Sequence, residues 1–298
     1  MRIGLVGCGR WGANILRDLN SLGCRVHVVA RSHESLDRAS SYGTVVIHRS
    51  VEQLPADLDG VVVATPTSTH HSIVLELLAR QKCAVFVEKP LTNSRSRALE
   101  IMKEAGSARV WVMDKWRYHP GIEALATMAR RHTYGRLLGV ETVRVQRGNP
   151  HPDVAPIWTY LPHDIAILNE ILGPTILTAA IGDQRGTHAL ALFRAEAGPW
   201  ASIDFSSVSA QKRREVHAYF ESATVSLLSE RDYEFEIHDL ERDEWSKQGF
   251  APEMPMPLLT ELSKFVAFIA GDGVQPKSDI IDGLHTVETI EEILARCT

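Results

Sequence analysis

Three groups of residues have the types and spacing that site chemistry needs. Near the start, Gly7-Cys8-Gly9-Arg10-Trp11-Gly12 follows the apolar run Ile3-Gly4-Leu5-Val6 and precedes a helical pattern at Ile15, Leu16, Leu19 and Leu22. A GxGxxG turn placed between strand and helix suits a dinucleotide. Gly7 allows the tight turn, Gly9 lets backbone N–H groups approach a pyrophosphate, Gly12 lets the helix sit close to its strand, and the helix N-terminus holds the anion. The second group is Val87-Glu88-Lys89-Pro90. Pro90 restricts Lys89 to an extended conformation, which projects its ammonium from the end of a strand. A solvated strand-end lysine is the plainer reading. The third is Leu161-Pro162-His163-Asp164, where His163 falls in the first turn of a helix and off the centre of its apolar stripe of Ile165, Leu168, Ile171 and Leu172. A surface or capping histidine is the alternative there.

These groups must be held by a scaffold, and the hydrophobic pattern supplies one. From Arg2 to Met113, short β-branched runs alternate with helical stretches, as in a parallel sheet with crossover helices. Six strands are expected: Ile3 to Val6, Arg25 to Val29, Val45 to His48, Val61 to Ala64, Ala84 to Val87 and Val110 to Met113. Gly23 marks a helix end, and Ser50 with Gln53 has the spacing of a capping box. In such a doubly wound fold ligands bind beyond the carboxyl ends of the strands, so the loops after Val6, Val29, Ala64 and Val87 matter most. After Asp114 the pattern changes to alternation, clearest where Ala201, Ile203 and Phe205 interleave with Ser202, Asp204 and Ser206. Further strands are expected at Val143 to Arg147, His188 to Phe193, Trp200 to Ser207, Glu215 to Phe220 and Tyr233 to Asp239, with helices at Pro162 to Leu172, Pro257 to Ala270 and Asp279 to Arg296. The expected division is an α/β Rossmann dinucleotide-binding domain over residues 1–115 and an α+β domain with an open-faced, mostly antiparallel sheet over 116–298.

The end of the second strand bears on the cofactor. An acidic residue there would bind the ribose 2′-hydroxyl, but the chain has Ala30, Arg31 and Ser32. Arg31 suits stacking on adenine and pairing with a 2′-phosphate, so NADP(H) is preferred and NAD(H) remains possible. Thr65, Pro66 and His70 fall on the loop after the fourth strand, beside the expected nicotinamide ribose. Lys115, Arg117 and Trp158 lie near the domain junction, where they either line a substrate pocket or serve the structure.

Composition narrows the class. The 298 residues are 44% hydrophobic and 23% charged, and 32 Lys and Arg against 37 Asp and Glu give a formal net charge of −5. Such a chain has no general basic field for nucleic acid or membrane. The four cysteines, Cys8, Cys24, Cys83 and Cys297, make no CxxC pair, and no metal site is expected; with no targeting segment legible, the expected compartment is the cytoplasm. His163-Asp164 lacks the companion ligands of a metal phosphohydrolase, and there is no GxSxG elbow.

Taken together in order, Gly7-Cys8-Gly9-Arg10-Trp11-Gly12-Ala13-Asn14, Glu88-Lys89-Pro90, Arg117-Tyr118-His119-Pro120 and Leu161-Pro162-His163-Asp164 resemble the Gfo/Idh/MocA (glucose-fructose oxidoreductase/inositol dehydrogenase/rhizopine catabolism) family. The resemblance implies NAD(P)-dependent hydride transfer at a carbinol carbon of a sugar-like substrate, amino- or nucleotide-linked sugars included. It also implies homodimers or homotetramers packed through the open sheet. Carried onto this chain, it makes Lys89 the residue that contacts nicotinamide ribose and substrate, and His163 the acceptor of the hydroxyl proton; Glu88, beside Lys89, is expected at the cofactor, with bracing of the loop as the alternative. Many members carry an aspartate four residues before that histidine; this chain has Thr159, with Tyr160 beside it as a substrate contact. That departure keeps two alternatives in view: reduction of a C=N or conjugated acceptor, and a dinucleotide-binding sensor without catalysis.

Overall fold

The structure, a computed structural model, describes residues 1–43, 45–106, 109–196, 198–250 and 256–297. The chain divides into two compact units. The first comprises Met1–Lys115 and Met256–Glu288, and the second the described residues of Trp116–Pro255 and Thr289–Thr298.

In the first unit, β1 (Arg2–Val6), β2 (Arg25–Val29), β3 (Val46–His48), β4 (Gly60–Val63), β5 (Ala84–Glu88) and β6 (Val110–Met113) form a parallel sheet in the order β3-β2-β1-β4-β5-β6. Helices α1 (Arg10–Ser21), α2 (His33–Ser40), α3 (Thr67–Arg80) and α4 (Arg95–Ala105) make the crossovers. The central strands read as unbroken apolar runs because both faces are covered: Ile3, Leu5, Val61, Val62 and Val63 are fully buried. Strand order reverses between β1 and β4, which pair with Val6 opposite Val63, so the loops that follow them lie side by side. Gly23, at a φ of +73°, ends α1 as expected. Between β3 and β4 there is only a 3-10 turn, Val51–Gln53; Gln53 Oε1 accepts from the Arg49 amide, and Ser50 makes no side-chain cap.

The expected boundary needs one correction. Residues 256–288 belong to the first unit, because the apolar side of α7 (Pro257–Ala270) completes its core. Leu258, Leu262 and Phe265 share a buried cluster with Ile3, Leu5, Ile15, Val26 and Phe86. The Phe265 ring stacks on Phe86 at 4.6 Å, Phe268 meets Trp111 edge-on at 4.8 Å, and a Cβ on Gly60 would reach 3.0 Å from Ile269. The division between units then falls within α8 (Ile280–Arg296).

The second unit is built on eight strands: β7 (Leu137–Arg147), β8 (Thr175–Gly182), β9 (His188–Ala195), β10 (Trp200–Ser206), β11 (Val208–Phe220), β12 (Ala223–Leu227), β13 (Glu234–Asp239) and β14 (Glu244–Gly249). Their order is β14-β13-β12-β11-β7-β10-β9-β8, antiparallel except where β10 meets β7. β8, β12, β14 and helix α5 (Pro120–Arg131) add to the expected elements. Helix α6 (Pro156–Leu172) starts earlier than expected, with Pro156 at its first position and Pro162 inside it. Along β9, Ala189, Ala191 and Phe193 are buried while His188, Leu190, Leu192 and Arg194 are exposed. Leu192 lies opposite Ser202, and Ile176, Ile181 and Trp200 are also exposed, so part of this sheet shows apolar side chains to solvent. Among the described residues, no helix is long and apolar enough to cross a membrane.

Candidate functional site

The glycine turn is set by two different demands. Gly7 has a φ of +101°, and a Cβ there would fall 2.6 Å from the Ala64 carbonyl oxygen; a Cβ on Gly12 would fall 2.3 Å from that of Gly7. Protein packing therefore dictates both. Gly9 is different, because a Cβ there would meet nothing among the described residues within 4 Å. It is the N-cap of α1, makes no side-chain cap, and no acid stands in the first turn. Uncapped N–H groups facing open space beside a glycine are what a pyrophosphate requires, so these residues fit a dinucleotide. Arg10 is exposed and Trp11 half-buried beside them.

At the end of β5, Glu88 is buried and Lys89 half-buried, and the Lys89–Pro90 peptide is cis. The Glu88 carboxylate accepts from Trp11 Nε1, and Lys115 Nζ stands 4.9 Å above the centre of the Trp11 ring. Burial pushes the Glu88 carboxyl up, against the pull of Lys89, Trp11 and Lys115. Glu88 thus braces the glycine turn against the β5 loop. His70, in the first turn of α3, is 1% exposed; its Nδ1 lies 2.9 Å from the Pro90 carbonyl oxygen and its Nε2 2.9 Å from that of Thr65. Thr69 Oγ1 lies 2.9 Å from Thr65 Oγ1, and Pro66 is exposed. At the end of β2, Arg31 is exposed; burial raises the Glu76 carboxyl, and Arg31 is close enough to oppose that rise. Ser32 is occupied as the cap of α2, its Oγ accepting from the Ser35 amide at 3.2 Å.

In the second unit His163 is half-buried on α6, the eighth residue from Pro156 rather than in its first turn. Its ring stands 6.5 Å from that of Trp116, which also stacks on His119 at 5.2 Å and carries the Arg144 guanidinium 5.0 Å over its face. Arg144 Nε donates to Asp164 Oδ2 at 2.5 Å, with both side chains buried. Burial raises the Asp164 carboxyl, and Arg144 opposes the rise. Asp164 therefore ties α6 to β7 beneath His163. Thr159 Oγ1 donates to Asn149 Oδ1 at 2.8 Å, and Asn149 holds the Val154 carbonyl, so Thr159 fastens the loop after β7. Tyr160 donates to the Gly148 carbonyl at 3.0 Å and accepts from Gln146 Nε2, with its phenol pushed up by burial. Arg117 Nε donates to Glu170 Oε2 at 3.0 Å, and Trp158 is 6% exposed. Trp116, Arg144 and Asn149 had no sequence signal, since each contact closes through the folded sheet.

Comparison with known proteins places the chain beside dehydrogenases in sequence and fold. Residues 1–114 match the family described as "Oxidoreductase family, NAD-binding Rossmann fold" (GFO_IDH_MocA). An inositol 2-dehydrogenase of Saccharopolyspora erythraea is 30% identical over 190 residues, 60% of this chain and 56% of the relative, so the chain spans about half the length of that relative. An inositol 2-dehydrogenase of Rhizobium meliloti is 26% identical over 293 residues, 92% of this chain and 80% of the relative. Among solved structures, UDP-N-acetylglucosamine 3-dehydrogenase from Acidithiobacillus ferrooxidans has a TM-score of 0.84 at 20% identity, covering 100% of this chain and 97% of that one; at that identity the likeness concerns the fold. Residues 1–114 thus match the NAD-binding Rossmann domain of the Gfo/Idh/MocA oxidoreductases.

Proposed function

We propose that this chain is an NAD(P)-dependent dehydrogenase acting on a secondary alcohol, or the matching ketone, of a cyclic polyol or sugar, nucleotide-linked sugars included. The observation that carries the reading is the uncapped start of α1 at Gly9, with Glu88 fastening the neighbouring Lys89 loop to Trp11. Relatives named as dehydrogenases of inositol and of UDP-N-acetylglucosamine support the substrate class.

Gly7, Gly9 and Gly12, with Arg10 and Trp11, would hold the pyrophosphate side of the dinucleotide, and Thr65 and Pro66 the ribose side, on a loop that His70 fastens from behind through its contact with the Thr65 carbonyl. Arg31 would meet a 2′-phosphate, which makes NADP(H) the proposed preference; Ser32 contributes through the helix it caps. The nicotinamide, when bound, exchanges hydride with the substrate carbon. Lys89 donates to the substrate oxygen and lowers the cost of negative charge there. His163 takes the hydroxyl proton at Nε2 in oxidation and returns it in reduction; its Nδ1 is buried. Tyr160 and Arg117, each with its polar group engaged inside the second unit, would take part through binding or positioning rather than the chemistry.

The test is turnover with NADP and NAD against myo-inositol and UDP-N-acetylglucosamine, in wild type and in Lys89→Met. Lys89→Met should keep cofactor binding and lose at least about 10²-fold in kcat. Near-normal turnover of that variant would refute the assignment. The proposed assembly is a homodimer or homotetramer through the exposed apolar strip of β8, β9 and β10.

A further inference from the structure

We propose that His70 is a positioning residue: an imidazolium clasp that joins the Lys89–Pro90 turn to the loop after β4 and so sets where the Lys89 ammonium stands. The argument starts from proton count. Both ring nitrogens lie 2.9 Å from carbonyl oxygens, Nδ1 from Pro90 and Nε2 from Thr65. A carbonyl oxygen only accepts, and a neutral imidazole has a single N–H. A neutral ring would therefore set one nitrogen lone pair against an oxygen lone pair at hydrogen-bond distance, in a site that is 1% exposed. The doubly protonated ring satisfies both contacts.

The clasp spans neighbouring strands. β4 and β5 are paired with Val63 opposite Val87, so Thr65 and Pro90 each stand just beyond the carboxyl end of an adjacent strand. His70 stands on the first turn of α3 and reaches both. Thr69, one residue before it, engages the Thr65 hydroxyl, so the loop after β4 is anchored through side chain and backbone alike. On the other side the held carbonyl belongs to Pro90, the residue bonded to Lys89. A shift of that carbonyl moves the lysine backbone with it. The role for catalysis rests on the reading of Lys89 given above; the clasp itself does not.

The experiment uses the full chain labelled with 15N and 13C. At pH 7.5, His70 in wild type, assigned through the backbone, should show two ring nitrogens each bonded to a proton; one pyridine-like nitrogen would overturn the imidazolium. The Lys89 side-chain Cε resonance, identified by its loss in Lys89→Met, should shift in folded His70→Phe and His70→Gln; an unmoved resonance would overturn the positioning role. If the dehydrogenase reading holds, kcat with myo-inositol in the His70 variants should fall roughly 10- to 100-fold while NADPH affinity changes less. An unchanged kcat in a folded variant would also overturn the positioning role. Absence of turnover in wild type would count against the dehydrogenase reading alone, since the two resonance measurements still decide the clasp.

Discussion

Glu261→Gln should make the protein more stable as pH rises. Glu261 sits on α7 at 1% exposure, and among the described residues neither carboxyl oxygen makes a hydrogen bond of ordinary length. Burial raises its carboxyl well above the usual range, Glu88 and Asp114 raise it further, and the Asp114 backbone and Lys115 pull the other way. The folded chain therefore keeps a proton that the unfolded chain releases at an ordinary glutamate value near ~4.3. Stability from this group is fully present below the unfolded value and is lost as pH rises from there towards the folded value. The loss is about 1.4 kcal/mol for each pH unit in that window. Glutamine has the shape of the protonated acid and no proton to lose, so the variant escapes the decline. Urea unfolding of both proteins at pH 5, 6 and 7 measures it, with an expected divergence of roughly half a molar in midpoint per pH unit for a slope near 3 kcal/mol/M. Titrating groups remote from Glu261 cancel in the comparison. A difference between the two midpoints that stays constant with pH would refute a protonated Glu261.

Other outcomes follow from single contacts. Phe265→Ala removes a fully buried ring stacked on Phe86 and should cost about 3–5 kcal/mol, read from the urea midpoint. Asp164→Ala leaves Arg144 buried without its carboxylate and should cost about 3–5 kcal/mol, whereas a loss under about 1 kcal/mol would mean the pair contributes little. Arg31→Ala should weaken NADPH binding about 10-fold or more, as expected for a lost charge-assisted hydrogen bond, and leave NADH binding nearly unchanged by calorimetry. Equal losses for both cofactors would remove Arg31 from the 2′-phosphate. Leu192→Arg on the exposed side of β9 should lower the mass seen by light scattering; an unchanged mass would exclude this strip as the assembly surface.

How much was legible in the sequence depended on whether a residue answered to local or distant constraints. β1, β4 and β5 were readable because burial on both faces makes them continuous apolar runs. β14 was not, since all six of its residues are exposed and only pairing with β13 makes it a strand. Pro162 suggested a helix start, but Pro156 takes that position and Pro162 is carried inside the helix. The glycine turn was readable because its spacing falls between an apolar run and a helical pattern, although the neighbour that constrains Gly7, Ala64, lies beyond the motif. Tyr160 suits a substrate contact by its chemistry, and Arg117 suits either a substrate pocket or a structural role. Their engagement by Glu170, 53 residues away, and by Gln146 and Gly148 emerges only from the folded unit.

The first unit is closed by a helix that follows it from far down the chain, and this bears on how the protein emerges during synthesis. When Lys115 leaves the ribosome, every strand of the parallel sheet has been made, yet the side that receives Leu258, Leu262 and Phe265 is covered only in part, by α1. The nascent first unit must wait, with Phe86 and Trp111 lacking their aromatic partners, until the whole eight-stranded sheet has been translated. Order of synthesis and order of completion are therefore reversed: the second sheet is finished in sequence before the first unit can finish in structure.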